Sequence, residues 1–141
     1  MRRSVATAAA CLLLAAMAAC GTSQTAAAKL KYYPVPTSSW RPGDFSLDAL
    51  TIGTLAAGIY RGRWCTWLVG PDSRRYPIVW PTGFRARLHP LELVDSRGTI
   101  VARGGEHIKV GGGVVPDSHQ PCMLGRKNAF YAMGYPSQVK S

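Results

Sequence analysis

The sequence predicts an all-β domain, a small closed or partly open barrel, preceded by a removable leader and a tether. Short apolar runs recur at spacings of about eight to twelve residues with turn signals between them. Glycine clusters stand where sharp corners are needed, and no window carries a 3.6-residue apolar stripe of helical length.

Strands are expected at residues 50–57, 63–69, 76–80, 91–95, 99–103, 107–110 and 130–134. Gly70-Pro71-Asp72-Ser73 is a turn by composition, and Asp95-Ser96-Arg97-Gly98 suits a type I turn ending on glycine. Gly104-Gly105 and Gly111-Gly112-Gly113 read as corners. Alternation assigns the faces. Ile108 and Val110 point inward, with His107 and Lys109 to solvent; Leu91 and Leu93 point inward, with Glu92 outward. In 63–69, Cys65, Trp67 and Val69 oppose Trp64, Thr66 and Leu68, so this strand is covered on both sides. Seven short strands suit a barrel, because closure removes exposed edges, and a two-layer sandwich is the alternative.

The first 19 residues have the parts of a secretory signal: Arg2 and Arg3, then an uncharged stretch from Val5 to Ala19. That stretch is shorter than the ~20 residues a spanning helix needs. Met17-Ala18-Ala19-Cys20-Gly21 resembles the lipobox of bacterial lipoproteins, which implies cleavage before Cys20 and acylation of its sulfur. Ordinary cleavage after Ala19 or Ala28 is the alternative. Residues 20–47 then read as a lipidated N-terminus and tether, with Pro34, Pro36, Pro42 and Gly43 and little apolar periodicity. The folded domain is assigned to 48–139.

With Cys11 lost and Cys20 acylated, Cys65 and Cys122 remain. An oxidising exterior favours a disulfide between them, a useful staple for so small a domain.

Trp80-Pro81-Thr82-Gly83-Phe84, the run from Leu91 to Gly105 and the run from Ile108 to Gly113 resemble small secreted domains of high-GC Gram-positive bacteria. The resemblance spans roughly residues 58–132 and implies an OB-like barrel behind a lipoprotein signal. It carries no catalytic or ligand residues.

Gly-x-Ser-x-Gly, Ser-x-x-Lys, His-Glu-x-x-His and phosphate-loop patterns are absent from the sequence. Asp48, Asp72, Asp95, Asp117, Glu92 and Glu106 are the carboxylates of residues 48–139, and four of them sit beside turn signals. No catalytic constellation or cofactor is expected. A metal site on His119 and Cys122 is a weak alternative, because an oxidising compartment consumes thiolates.

Charge is the strongest remaining signal. Loss of Arg2 and Arg3 leaves 15 Lys and Arg against 7 Asp and Glu, a formal +8. Arg61, Arg63, Arg74, Arg75, Arg85 and Arg87 are the candidate residues for an anionic partner. Outside the membrane the abundant anions are lipid headgroups and acidic or phosphorylated wall polymers; nucleic acid is not expected. The expectation is a non-catalytic envelope module, held to the cell membrane by its lipid, that binds an anionic envelope component or a protein partner. The alternative is a small-ligand or metal-binding lipoprotein using the barrel mouth near Glu106, His119 and the two cysteines.

Overall fold

The computed structural model describes residues 30–140, so the expected leader, Cys11 and the expected lipidation site at Cys20 lie outside the described residues. The strands are β1 (Tyr32–Pro34), β2 (Ala49–Tyr60), β3 (Arg63–Val69), β4 (Arg75–Val79), β5 (Arg85–Arg87), β6 (Glu92–Val94), β7 (Ile100–Arg103), β8 (His107–Val115), β9 (Ala129–Ala132) and β10 (Ser137–Gln138). No helix occurs among the described residues.

Five strands close a ring of hydrogen bonds. β2 pairs with β3, β3 with β4, β4 with β9, β9 with β8, and β8 with β2. All these pairs are antiparallel except β4–β9, which is parallel. The domain is therefore an OB-like barrel rather than a two-layer sandwich, and closure removes the two outer edge strands that an open sheet would have. β2 makes closure possible in so short a chain. Its first half, Ala49–Thr54, pairs with β8, and its second half, Thr54–Tyr60, pairs with β3. A second sheet, in the order β1-β5-β6-β7, comes from the connection between β4 and β8 together with the N-terminal segment.

One core serves both sheets. Leu55, Leu68, Ile78, Trp80, Ile108, Val110, Phe130 and Ala132 fill the barrel, and Val35, Phe84, Ala86, Leu93 and Ala102 join them from the second sheet and its flanks. Trp80 is fully buried, and its indole N–H donates to Thr66 Oγ1 at 2.9 Å, so the largest interior side chain leaves no orphan donor. Trp80 also stacks on Phe84, with ring centroids 6.2 Å apart.

The strand at 63–69 appears with the expected bounds and is buried through Cys65, Thr66, Trp67 and Leu68. The inward and outward alternation of His107–Val110 also holds.

Elsewhere the structure differs from expectation. Residues 111–113 are not a corner: they continue β8, with Gly112 opposite Ala132 and Gly113 opposite Tyr131. A Cβ on Gly112 would collide with the Tyr131 carbonyl oxygen, and one on Gly113 with Leu47. Close approach, not turning, requires glycine there. Part of the expected tether is structured as well. Tyr32–Pro34 pairs with Arg85–Arg87, Val35 and Pro36 are buried, and Thr37 bridges to Trp80. Pro34 is tolerated because β1 is an edge strand.

Two carboxylates are less solvated than expected, Glu92 from its outward strand position and Asp95 from its turn. Glu92 is partly buried between Arg87 and Arg103. Asp95 has no exposed surface and accepts hydrogen bonds from the amides of Arg97 and Thr99, each at 2.9 Å. Its turn wraps the carboxylate, so a polar residue at a turn is here a buried one.

Candidate functional site

The β2–β3 connection is a two-residue turn, Arg61-Gly62, with both φ angles positive (49° and 77°). This is the turn geometry whose twist matches an antiparallel hairpin, and it normally selects Asn, Asp or Gly at the first position. An arginine there accepts an unfavourable backbone conformation and holds a cation at the tip of the barrel. Arg61 lies over the Tyr60 ring, 5.4 Å from its centroid, and Arg63 follows at the first position of β3.

The longer connection, residues 116–128 between β8 and β9, folds back toward this turn. Cys122 is bonded to Cys65 in β3, as expected, across a sequence separation of 57. The Ser118 amide donates to Lys127 O at 2.8 Å and closes the base of the loop. Arg126 Nε donates to Arg75 O at 3.0 Å, which ties its far side to β4. Beneath the loop, Cys65, Trp67 and Cys122 form a second small core with Ala56, Tyr60, Val69 and Leu124. The outer face of β2–β3 is thereby covered, and what stays open is the rim.

At that rim lies an open cleft of about 700 Å³. Tyr60, Arg61 and Arg63 form one wall, and Ser118 to Met123 with Gly125 and Arg126 form the other. Arg61, Arg63 and Arg126 are exposed, and none is ion-paired among the described residues. No carboxylate lines the cleft, and His119 adds an imidazole. Arg61 and Arg63, with no internal counter-ion, make a positive concavity suited to bidentate contacts with carboxylate or phosphate oxygens, whereas the Arg126 guanidinium is turned toward Arg75 O and the Tyr76 ring. A second open cleft, of about 660 Å³, contains Arg41 and Arg97, but Arg97 is already bound to Asp95.

A smaller, mainly apolar groove of about 360 Å³ adjoins the basic cleft. Tyr33, Pro34, Val35, Pro36 and Trp64 line it, and Arg63, Pro121 and Cys122 belong to both cavities.

The six arginines singled out in the sequence do not form one face. Arg61 and Arg63 share the cleft. Arg74 and Arg75 lie at the opposite end of β3, since Arg75 pairs with Val69. Arg74 is ion-paired with Asp72 at 3.5 Å, and Arg75 lies 4.9 Å from the Trp67 ring centroid. Arg85 and Arg87 are in the second sheet; Arg85 covers Tyr32 at 4.3 Å, and Arg87 is bound to Glu92. Near Arg74, a hydrogen bond from the Tyr76 hydroxyl holds the Asp72 carboxyl below its ordinary pKa and raises that of Tyr76.

Arg126 was not foreseen, because its loop reaches the rim only through a contact distant in sequence. The same holds for Tyr33, which sequence composition places in a tether. The His119–Cys122 metal alternative fails on chemistry: the Cys122 sulfur is in the disulfide and supplies no thiolate. No cluster of three or more metal-ligating side chains occurs among the described residues. Glu106 accepts from the Arg103 amide and from Gln138 Nε2, and it does not line the basic cleft.

Comparison of the chain with known protein families, with characterised proteins and with solved structures finds no match.

Proposed function

We propose that this protein is a non-catalytic envelope module, exported and lipid-anchored through Cys20, that binds an anionic polymer of the cell envelope. The observation that carries the reading is the rim cleft: Arg61 and Arg63 face the 116–128 connection with His119 across from them and no carboxylate in the lining. In OB-type barrels the loops joining strands one to two and four to five flank the ligand site. The two connections at this cleft hold the corresponding positions in the ring, a fold-level analogy that agrees with the electrostatics. The disulfide supports it by fixing the loop that carries His119.

The test is binding of the acylated full-length protein, in detergent, to isolated anionic wall polymer across a salt series. Each arginine at an anionic surface contributes about 1 kcal/mol, so Arg61→Ala/Arg63→Ala should weaken binding roughly thirtyfold at low salt. Arg97→Ala, whose guanidinium serves Asp95, should leave binding near wild type. Affinity should fall steeply with salt. Salt-independent binding, or equal binding by the double variant, would overturn the reading. The anchor is checked separately: Cys20→Ala should abolish the mass gain of acylation on the mature N-terminus.

A further inference from the structure

The apolar groove beside the cleft says what kind of polymer the site takes. Tyr33 and Trp64 meet at 63° with centroids 6.2 Å apart, and Trp64 meets His89 at 84°. These steep edge contacts keep the rings from stacking face to face on each other. Both rings are only partly buried, in a domain whose other core tryptophans, Trp67 and Trp80, are buried. Trp64 shares strand parity with Thr66 and Leu68, and so belongs to the barrel mouth rather than to the outer face. Tyr33 comes from β1, an element outside the barrel ring. Arg63 borders the groove on one side and the basic cleft on the other.

A ligand running along both cavities would thus meet aromatic and proline surface first and guanidiniums next. A phosphate or carboxylate polymer without rings has nothing to place on Tyr33 and Trp64. A protein segment lacks the regular pairing of ring and charge. A sugar residue with an acidic substituent offers both: axial C–H groups pack on aromatic faces, and its anion takes arginine hydrogen bonds.

We infer that the combined cleft and groove form a site for an anionic glycan, with Tyr33 and Trp64 as the platform for a pyranose ring and Arg61 and Arg63 holding its acidic group. This inference rests on the basic cleft being the binding site, and it adds the sugar to that reading. Packing of a ring on each aromatic is expected to be worth about tenfold in affinity, as in stacking on nucleobases.

The experiment compares three probes of equal length on the full-length protein by calorimetry at low salt: oligoglucuronate, neutral cello-oligosaccharide and oligoglutamate. Oligoglucuronate should bind at least tenfold tighter than oligoglutamate, and cello-oligosaccharide should bind weakly. Tyr33→Leu and, independently, Trp64→Leu should each remove most of that tenfold preference while leaving oligoglutamate affinity unchanged. Arg61→Ala/Arg63→Ala should weaken both anionic probes. Circular dichroism and thermal unfolding confirm that each variant is folded, and using two single variants keeps the test intact if one is unstable. Equal affinity for oligoglucuronate and oligoglutamate, insensitive to either aromatic change, would overturn the glycan inference and leave the anion site standing. If neither anionic probe binds, both fall.

Discussion

Replacing Cys65 and Cys122 together by alanine should cost the domain a large part of its stability without dissolving the barrel. The bond closes a loop with a sequence separation of 57. Loop-closure entropy for a loop of that size gives ~4 kcal/mol at 25 °C, less whatever the unfolded chain retains as structure. The two sulfurs are also packing atoms, since Cys65 and Cys122 are 1% and 6% exposed against Trp67. A domain of this size has a total stability of roughly 5–15 kcal/mol, so about a quarter or more is at stake. In temperature, a loss of 3–4 kcal/mol lowers Tm by roughly 10–25 °C. The hydrogen-bonded ring does not pass through the disulfide, so the far-UV spectrum at low temperature should stay that of the native protein. Urea titration of the oxidised protein, its reduced form and the double variant measures the effect. The reduced form should show the loop-closure loss, and the double variant somewhat more, because it also lacks the two buried sulfurs. A loss below about 1 kcal/mol would refute the reasoning, because it would mean that the reduced unfolded chain is already constrained or that the loop holds without the bond.

Three further outcomes follow from the interior. Burial pushes the Asp95 carboxyl up in pKa, but hydrogen bonds from the Thr99 and Arg97 amides and the Arg97 guanidinium outweigh it and hold it below the ordinary value. A carboxyl with a lowered folded pKa contributes fully above the unfolded value of about 3.9 and loses the contribution as pH falls through the folded one. Asp95→Asn should therefore cost about 1–2 kcal/mol at pH 7 in urea unfolding, a difference that shrinks below pH ~4; a gap unchanged at pH 2 would contradict this. Gly112→Ala should cost at least about 3 kcal/mol or prevent folding, read by soluble yield and thermal melting, since its φ of 154° and the Tyr131 carbonyl leave no room for a Cβ. Thr66→Val should cost about 1–3 kcal/mol by urea titration through the stranded Trp80 N–H, whereas Thr66→Ser should retain most of the stability.

The parts of the fold legible in the sequence are those where local pattern and tertiary role agree. Residues 63–69 are apolar on both faces because core lies on both sides, and no other element explains such a run. His107 to Val110 alternates because only one face is covered there. The misreadings arise where one residue type serves two purposes. Glycine turns a chain, and it also admits a neighbour, and only the opposing Tyr131 and Leu47 say which applies at Gly112 and Gly113. Proline breaks a central strand but sits at an edge, so Tyr32–Pro34 reads as spacer until Arg85–Arg87 is beside it. That partner was itself hidden, because a strand of two arginines around one alanine has almost no apolar signal. Charge pointed to Arg61 and Arg63, but composition cannot tell a free arginine from one committed to a carboxylate. Arg87 and Arg74 are committed, whereas Arg61 and Arg63 are ion-paired with no carboxylate among the described residues.

The placement of the cleft follows from how this barrel spends its outer surface. The face of β2 and β3 is apolar at Cys65 and Trp67 and needs a cover. The residue 116–128 connection supplies it, pinned by the disulfide at Cys122 and by Arg126 on the Arg75 carbonyl. Covering the face removes it as a binding surface and moves the open concavity to the margin, where the cover meets the β2–β3 turn. At that margin the turn presents Arg61 in a backbone conformation that glycine or asparagine would adopt at less cost. A turn selected only for folding would not keep arginine there. If the cation at position 61 serves the cleft, Arg61→Asn should raise Tm by a degree or more while weakening binding to anionic polymer. Stability and binding moving in opposite directions would separate a residue retained for the site from one retained for the hairpin. Loss of both together would assign Arg61 to the fold.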